Sequence, residues 1–379
     1  MDSAATSQAL YTVIEDQHEF NLTHRANAHR SGHRMGSWVS NIYHQAKEDI
    51  GNWLGINDPQ QRVVFTSGAS QSLDDSVKII ASVYKRATIY IGVDFHHSLY
   101  LPLQKIASNN SFYSIKFINT TSEGYLDLED LKAKMSADTG PKVIAVTAVS
   151  NVLGMVNDLE QIKSIAKIHS AVTIVDASQI VSKRKVDYTG FDFVAFSWHK
   201  VYGPTGLGCL ILGDRWINYD PVRPGGGSVT QVTLESTQWT NDATRFESGT
   251  QNLSAIAAIP RLVNWLIKHS NDLERHDIEI SKLASSHVEV GRFKAVTASE
   301  SSLISLTPIL ASPEDYAYML DASNVMVRTG KLCAEPLVSS YNLNGLIRLS
   351  WAAYTSSNDI ETTFDKLGDA YARFQKHVR

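Results

Sequence analysis

Five short runs of β-branched and aromatic residues recur before residue 200: RVVFTSG (62–68), TIYIGVD (88–94), VIAVTAV (143–149), VTIVDAS (172–178) and FDFVAFS (191–197). Each is almost continuously apolar, the pattern of a strand buried on both faces. Helical periodicity fills the gaps. Ile42, Ala46, Ile50 and Trp53 share one face of 38–54. Leu128, Leu131 and Met135 share a face of 126–136, and Leu159, Ile162 and Ala166 one of 158–169. This alternation predicts an α/β fold with a mostly parallel central sheet flanked by helices. Right-handed crossovers then place the loops that follow the strands along one sheet edge, where ligands bind.

After about residue 262 the texture changes. A long helical pattern runs from about 253 to 290, with a break expected near SNDLER (270–275). A strand, SLISLTP (302–308), follows. A helix over SPEDYAYMLDAS (312–323) then has Ser312 as its N-cap and Pro313 at its first position. The expected division is a large domain over 13–264 and a smaller α+β domain formed by 265–379 with 1–12.

The 379 residues carry a formal net charge of −4 and give a pI near 6.4. Such a chain has no basic footprint for nucleic acid. No apolar run reaches the ~20 residues of a spanning helix, so no membrane role is expected. MDSAATSQAL has neither a charged start nor the apolar core of a signal peptide. Cys209 and Cys333 are the two cysteines, too few for a disulfide framework, and a reducing, cytoplasmic location is the expectation.

The loops after the strands carry chemistry. TSGASQS (66–72) leaves a strand and opens a helix, and small hydroxyl residues with glycine at a helix N-terminus make an anion site. It lacks the GxxxxGK of a nucleotide-binding loop, and GPTGLG (203–208) does not match GxGxxG. VDASQ places Asp176 at a strand end, either as a helix cap or as a working carboxylate. Lys200 stands in FSWHKVYGPTGLG (196–208), at another strand end and before a turn rich in glycine. A desolvated lysine there loses its proton readily and becomes a nucleophile for aldehydes. Phosphate cradle, carboxylate and lysine together are what pyridoxal 5′-phosphate requires. Lys200 would form its Schiff base, Asp176 would meet the ring nitrogen, and Ser197 and His199 would reach the phosphate.

These segments resemble the class-V aminotransferase-like enzymes of fold type I, and most of all the Suf-type (group II) cysteine desulfurases. The resemblance spans nearly the whole chain and includes DSAATSQ (2–8) and AHRSGH (28–33). It implies that His96, in FHHSLYLP, stacks on the cofactor ring, with His97 as the competing assignment. It implies that Asn151 and Gln179 contact the ring oxygen and that Ser70 contacts the phosphate. Ala69 stands where a hydroxyl residue is usual, so its contact would come from the backbone. Thr250, in RFESGTQN, would serve the phosphate of the neighbouring subunit, which implies a homodimer. In VMVRTGKLCAEPLV (325–338) and GLIRLSW (345–351), Cys333 falls on the family's nucleophile, and Arg328 and Arg348 on its carboxylate-binding arginines.

The implied reaction is PLP-dependent conversion of L-cysteine to L-alanine, with a persulfide on Cys333 awaiting a sulfur-acceptor protein of iron–sulfur cluster assembly or a related pathway. L-selenocysteine is a further candidate substrate. The alternative is another class-V enzyme, a selenocysteine lyase, C–S lyase or epimerase, that makes no protein persulfide. Cys333 lies in a polar loop near Arg328 and Lys331, a setting that favours a thiolate. Lys331 and Leu332 stand where histidines are frequent in the family. Trp198 replaces a small residue and would narrow the pocket. His29 and His33 have helical spacing for a metal, but Arg30 and Arg34 repel a cation, and no metal is expected. Cys209, in the apolar GLGCLIL, reads as a buried structural thiol.

Overall fold

The computed structural model describes residues 1–29, 32–288, 293–297 and 301–378. The five apolar runs form strands β1 (Val63–Thr66), β2 (Ala87–Gly92), β4 (Lys142–Thr147), β5 (Val172–Asp176) and β6 (Phe193–Ser197), joined by β3 (Tyr113–Ile118) and β7 (Gly208–Leu212). The order in the sheet is β1-β7-β6-β5-β4-β2-β3. β7 runs antiparallel to both β1 and β6, and all the other pairings are parallel. The strands β1, β2, β4, β5 and β6 therefore end on the same edge. The edge strand β3 is not among the five runs, because only its two end residues are buried.

Both faces of the sheet are covered. Val146, Val175, Val194 and Phe196 pack with α2 (Arg34–Leu54), α6 (Leu128–Ser136) and α7 (Leu159–Ile168). Ala145, Ile174, Phe193 and Ala195, one residue out of phase, pack with α4 (Ala69–Val83) and α5 (His97–Asn109). That alternation is the period-2 geometry of a strand. Two further helices, α1 (Tyr11–Thr23) and α3 (Pro59–Arg62), flank this layer, and a hairpin of β8 (Val229–Val232) and β9 (Thr237–Trp239) projects from it.

The helical pattern after residue 250 breaks earlier than expected. A short α8 (Leu253–Ala257) ends at Ala258, and α9 (Ile259–Ser286) restarts with Pro260 in its first turn. α9 then runs unbroken through 270–275. Asn271 and Asp272 are poor helix formers, but Leu266, Leu273 and Ile280 are buried along it, and tertiary packing overrides propensity. The first half of α9 joins the core of the large sheet, and Ile280 and Ala284 join a second core. That core belongs to a four-stranded antiparallel sheet of order β10-β11-β13-β12. Its strands are β10 (Phe293–Ala295), β11 (Leu303–Pro308), β12 (Arg328–Gly330) and β13 (Leu346–Ser350). They are backed by α10 (Pro313–Asp321) and α12 (Ser357–Val378), while α11 (Glu335–Ser340) follows β12. Ser312 caps α10 through a reciprocal bond pair with Asp315, as its sequence predicts.

The first ten residues do not pack on the small sheet alone. Met1 and Ala4 bond to Ser350, whereas Ser7 and Leu10 bond to His199 and Tyr202 of the large layer. This segment straps the two layers together.

Candidate active site

Five of the strands ending on the shared edge deliver predicted residues: Ala69 and Ser70 after β1, His96 after β2, Asn151 after β4, Asp176 at the end of β5, and Ser197, His199 and Lys200 at the end of β6. Asp176 is buried, and its Oδ1 accepts the N–H of Ser178 at 3.0 Å. Lys200 closes a single 3₁₀ turn (198–200). The strap fixes that turn from outside: the carbonyl of His199 accepts from Ser7 N–H, Ser7 Oγ and Thr6 Oγ1 at 2.9, 3.1 and 3.2 Å.

Burial holds the Lys200 amine below the ordinary lysine range. Asp176 pulls it back up, Arg348 pushes it down, Cys333 raises it and Arg328 lowers it. Groups from both sheets therefore act on one amine. Burial also lowers His96, with Asp176 opposing and Lys200 reinforcing the shift. His96 thus lies near the charges of Asp176 and Lys200. Its Nδ1 accepts the N–H of Ser98 at 3.2 Å, which leaves Nε2 to carry the proton of the neutral ring. His97 is engaged elsewhere: its Nε2 pairs with Glu335 of α11 at 2.5 Å, and its N–H bonds the carbonyl of Cys333 at 3.0 Å. His199 is lowered by burial and then by Lys200.

The phosphate turn is assembled with one difference from expectation. Gly68 precedes α4, a helix of 15 residues. The N–H of Ala69, the expected backbone donor, is taken up at 2.7 Å by Ser197 Oγ, the expected side-chain donor. Ser70 is exposed in the first helical turn. Gly208 is required because a Cβ there would lie 2.5 Å from the backbone of Gly68. Gly203 likewise abuts Leu262 and the carbonyl of Trp198 at 2.9 Å. Gly203 and Gly208 thus serve close packing, whereas Gly206 takes a positive φ of 70° in the turn. Trp198 does not narrow the pocket: it is fully buried and packs on Trp53 and Phe196.

The turn that carries Cys333 joins β12 to α11. Leu332 and Cys333 both have positive φ, 56° and 55°, a left-handed backbone that side-chain-bearing residues rarely adopt. The turn is docked. Leu332 is buried, its carbonyl accepts from Asn151 Nδ2 at 2.8 Å, and the Cys333 carbonyl is held by His97. Cys333 itself is exposed. Arg348 is buried and donates through Nη1 to the carbonyl of Asn151 at 3.1 Å. Arg328, half-exposed, stands directly opposite Arg348 in the β12–β13 register. Asp2 sits between them, 3.1 Å from Arg348 Nη2 and 3.9 Å from Arg328 Nε. DSAATSQ contains Asp2, but its pairing with residues 328 and 348 has no local signal.

The remaining candidates are placed as follows. Gln179 is buried, with Nε2 on the carbonyl of Ala4 at 2.9 Å. Thr250 is exposed and lines an open groove with Ser67 and Gln71 beside the phosphate turn. His33 caps α2 through Gly36, and His29 lies before that helix against Tyr43, so the two share no helix face. Arg30 lies outside the described residues. Burial in β7 pushes the Cys209 thiol up, which suits an inert core residue. A cavity of about 540 Å³ lies away from these residues, near Trp53 and Tyr188.

The residues present fit a phosphorylated pyridine aldehyde. A helix N-terminus suits its phosphate. The buried carboxylate of Asp176 suits a ring nitrogen, and the Lys200 amine suits the aldehyde. Among the described residues Asn151 Oδ1 is buried without a partner, a polar group left for a ligand to meet.

Comparison with known proteins agrees with this geometry. The family model "Aminotransferase class-V" matches residues 1–363. A probable cysteine desulfurase of Pyrococcus abyssi is 30% identical over 95% of this chain and 91% of its own length. One from Halalkalibacterium halodurans is 29% identical over 95% and 90%. The apo structure of a cysteine desulfurase from Thermococcus onnurineus superposes with a TM-score of 0.91 at 29% identity, covering 99% of this chain and 94% of that one. The chain belongs to the class-V aminotransferase family and has the fold-type I architecture of its relatives.

Proposed function

We propose that this protein is a pyridoxal-phosphate-dependent cysteine desulfurase. It converts L-cysteine to L-alanine and takes the sulfur as a persulfide on Cys333, for delivery to an acceptor protein in iron–sulfur cluster assembly or a related sulfur-transfer pathway. L-selenocysteine, with the same carboxylate and amine, is a second substrate in this reading. One observation carries the proposal: the turn bearing Cys333 docks on the strand ends of the large sheet, its Leu332 carbonyl accepting from Asn151 Nδ2 at 2.8 Å, next to the Arg348 side chain that donates to the Asn151 carbonyl. The names of the relatives support the same reaction.

Pyridoxal phosphate, when bound, would draw electrons from the α-carbon of the amino acid. The N-terminus of α4 with Ala69, Ser70, Ser197 and His199 would hold its phosphate, joined by Thr250 of a second copy in a homodimer. Asp176 would meet the ring nitrogen, His96 the ring face, and Asn151 and Gln179 the ring oxygen. Lys200 would bind the aldehyde carbon.

The chain's own residues supply the rest. Arg348 and Arg328 grip the substrate carboxylate, a match of planar fork to planar anion. The Lys200 amine, already lowered by burial, takes the α-proton. His96 holds a proton at Nε2. Cys333 Sγ attacks the substrate sulfur. An S–S bond forms, the C–S bond breaks, and its electron pair stays on carbon, which is protonated to give alanine. The large domain is assigned to 13–264 and the small one to 265–379 with 1–12, the boundary falling within α9. Among the described residues no helix is long and apolar enough to cross a membrane; a cytoplasmic location belongs to this proposal.

The test is alanine formation from L-cysteine by the wild type and by Cys333→Ala, with and without dithiothreitol. The proposal expects alanine from the wild type alone, increased by the reductant. Equal turnover by both proteins would move the assignment to a lyase or epimerase.

A further inference from the structure

Arg328 and Arg348 face each other across an antiparallel strand pair. Like charges so placed repel, and Arg348 is buried, with 3% of its surface exposed. Such a pair needs an anion. In this structure the anion is part of the chain: Asp2 places Oδ1 3.1 Å from Arg348 Nη2 and Oδ2 3.9 Å from Arg328 Nε. Arg348 still has a buried donor, Nε, with no partner among the described residues. Its remaining bond, from Nη1, goes to the carbonyl of Asn151.

A substrate carboxylate arriving at this pair meets a site that already holds one. Two carboxylates side by side on one buried guanidinium would repel each other strongly. The Asp2 side chain is 28% exposed and thus has a way out to solvent. Its backbone has no such freedom: Asp2 bridges to Ser350, Met1 O accepts from Ser350 N–H, and Ala4 N–H bonds Ser350 Oγ. The side chain can swing away while the strap stays docked.

We infer that Asp2 is a placeholder carboxylate, which neutralises the Arg328–Arg348 pair in the empty site and must be exchanged for the carboxylate of the incoming amino acid. The inference rests on the proposed reading of the site as one for α-amino acids, and it adds a competitor built into the chain. The exchange keeps the buried arginine paired at every stage. It also excludes carboxylates too weakly held to displace Asp2, so Asp2 sets affinity for the carboxylate end of the ligand. It is a positioning residue, since it acts through the arginines.

The test uses the cofactor-loaded protein and reads equilibrium binding by the change in the visible absorption of the cofactor on titration with L-alanine. L-alanine methyl ester, which lacks the carboxylate, is the control. Asp2→Asn should bind L-alanine about tenfold more tightly than the wild type, the scale of one partly buried ion pair. The methyl ester should show no such gain. Asp2→Glu, which keeps the charge, should stay within about threefold of the wild type. In turnover the Asp2→Asn variant should lower KM for L-cysteine without a rise in kcat. Unchanged or weaker alanine binding by Asp2→Asn overturns the inference, and so does an equal gain for the methyl ester. If neither protein turns over L-cysteine but Asp2→Asn still tightens alanine selectively, the desulfurase reading fails and the placeholder stands.

Discussion

The two halves of the site are built in different ways. The half from the large sheet is a row of strand ends. Asp176, Asn151, His96 and the Ser197–Lys200 turn hang from parallel strands whose spacing the ladder sets. The half from the small sheet is two short strands and a strained turn. Arg328 and Arg348 repel each other across β12 and β13, Asp2 neutralises them from residue 2, and Cys333 sits with positive φ in a turn that Asn151 and His97 pin from the other layer. Rigid strand ends suit groups that must hold a cofactor in one pose. A docked turn with an exposed thiol suits a group that must meet a substrate and then an acceptor.

Changes that break this contrast should rank in order. Lys200→Ala removes the amine proposed to bind the aldehyde and to take the α-proton, and turnover should fall by at least about 10³-fold. Borohydride reduction followed by mass spectrometry should then find no cofactor fixed to the chain, whereas Cys333→Ala should retain it on Lys200. The arginines come next. Arg348→Ala removes a buried charge and leaves Asp2 facing an empty pocket, so KM should rise by about 10²-fold or more. Arg328→Ala, at a half-exposed position, should cost about tenfold or less. Equal effects would show that the register pairing, rather than burial, sets substrate grip.

A smaller effect sits in the frame of the large half. Asp94 follows β2, is fully buried and bonds Asn157, and burial raises its carboxyl to about 6. A raised acid contributes stability below its unfolded value, and the contribution is lost as pH rises through about 6. Asp94→Asn should therefore unfold later than the wild type at pH 8, by roughly 1–3 kcal/mol in chemical denaturation, and the gain should shrink toward pH 4. The smallest change is expected at His97–Glu335, an exposed pair that helps to dock the nucleophile turn. Glu335→Gln should alter kcat by less than about threefold, and a larger loss would show that docking of the turn limits turnover.

The same contrast governs what could be read in the sequence. The strand ends were legible because their signals are local: VDASQ and FSWHK each put a functional group at the end of an apolar run. The small-sheet half was legible only through resemblance, since nothing near Arg328 or Arg348 announces that the two lie opposite each other. The role of Asp2 was not legible at all. It arises because a strap brings residue 2 beside residue 348, a contact that spans nearly the whole chain. The unbroken course of α9 was missed for a related reason, its weak residues being carried by two cores that the sequence does not show as neighbours. Trp198 was misplaced because a strand's period does not say which face turns inward after the strand has ended.

The most direct measurement is the mass of the Cys333 peptide after the cofactor-loaded protein has met L-cysteine without reductant. One added sulfur atom on Cys333, removed by dithiothreitol and absent when L-alanine replaces cysteine, is the predicted result. An unmodified Cys333 in a protein that still consumes cysteine would contradict the account and place the chemistry entirely in the large-domain half.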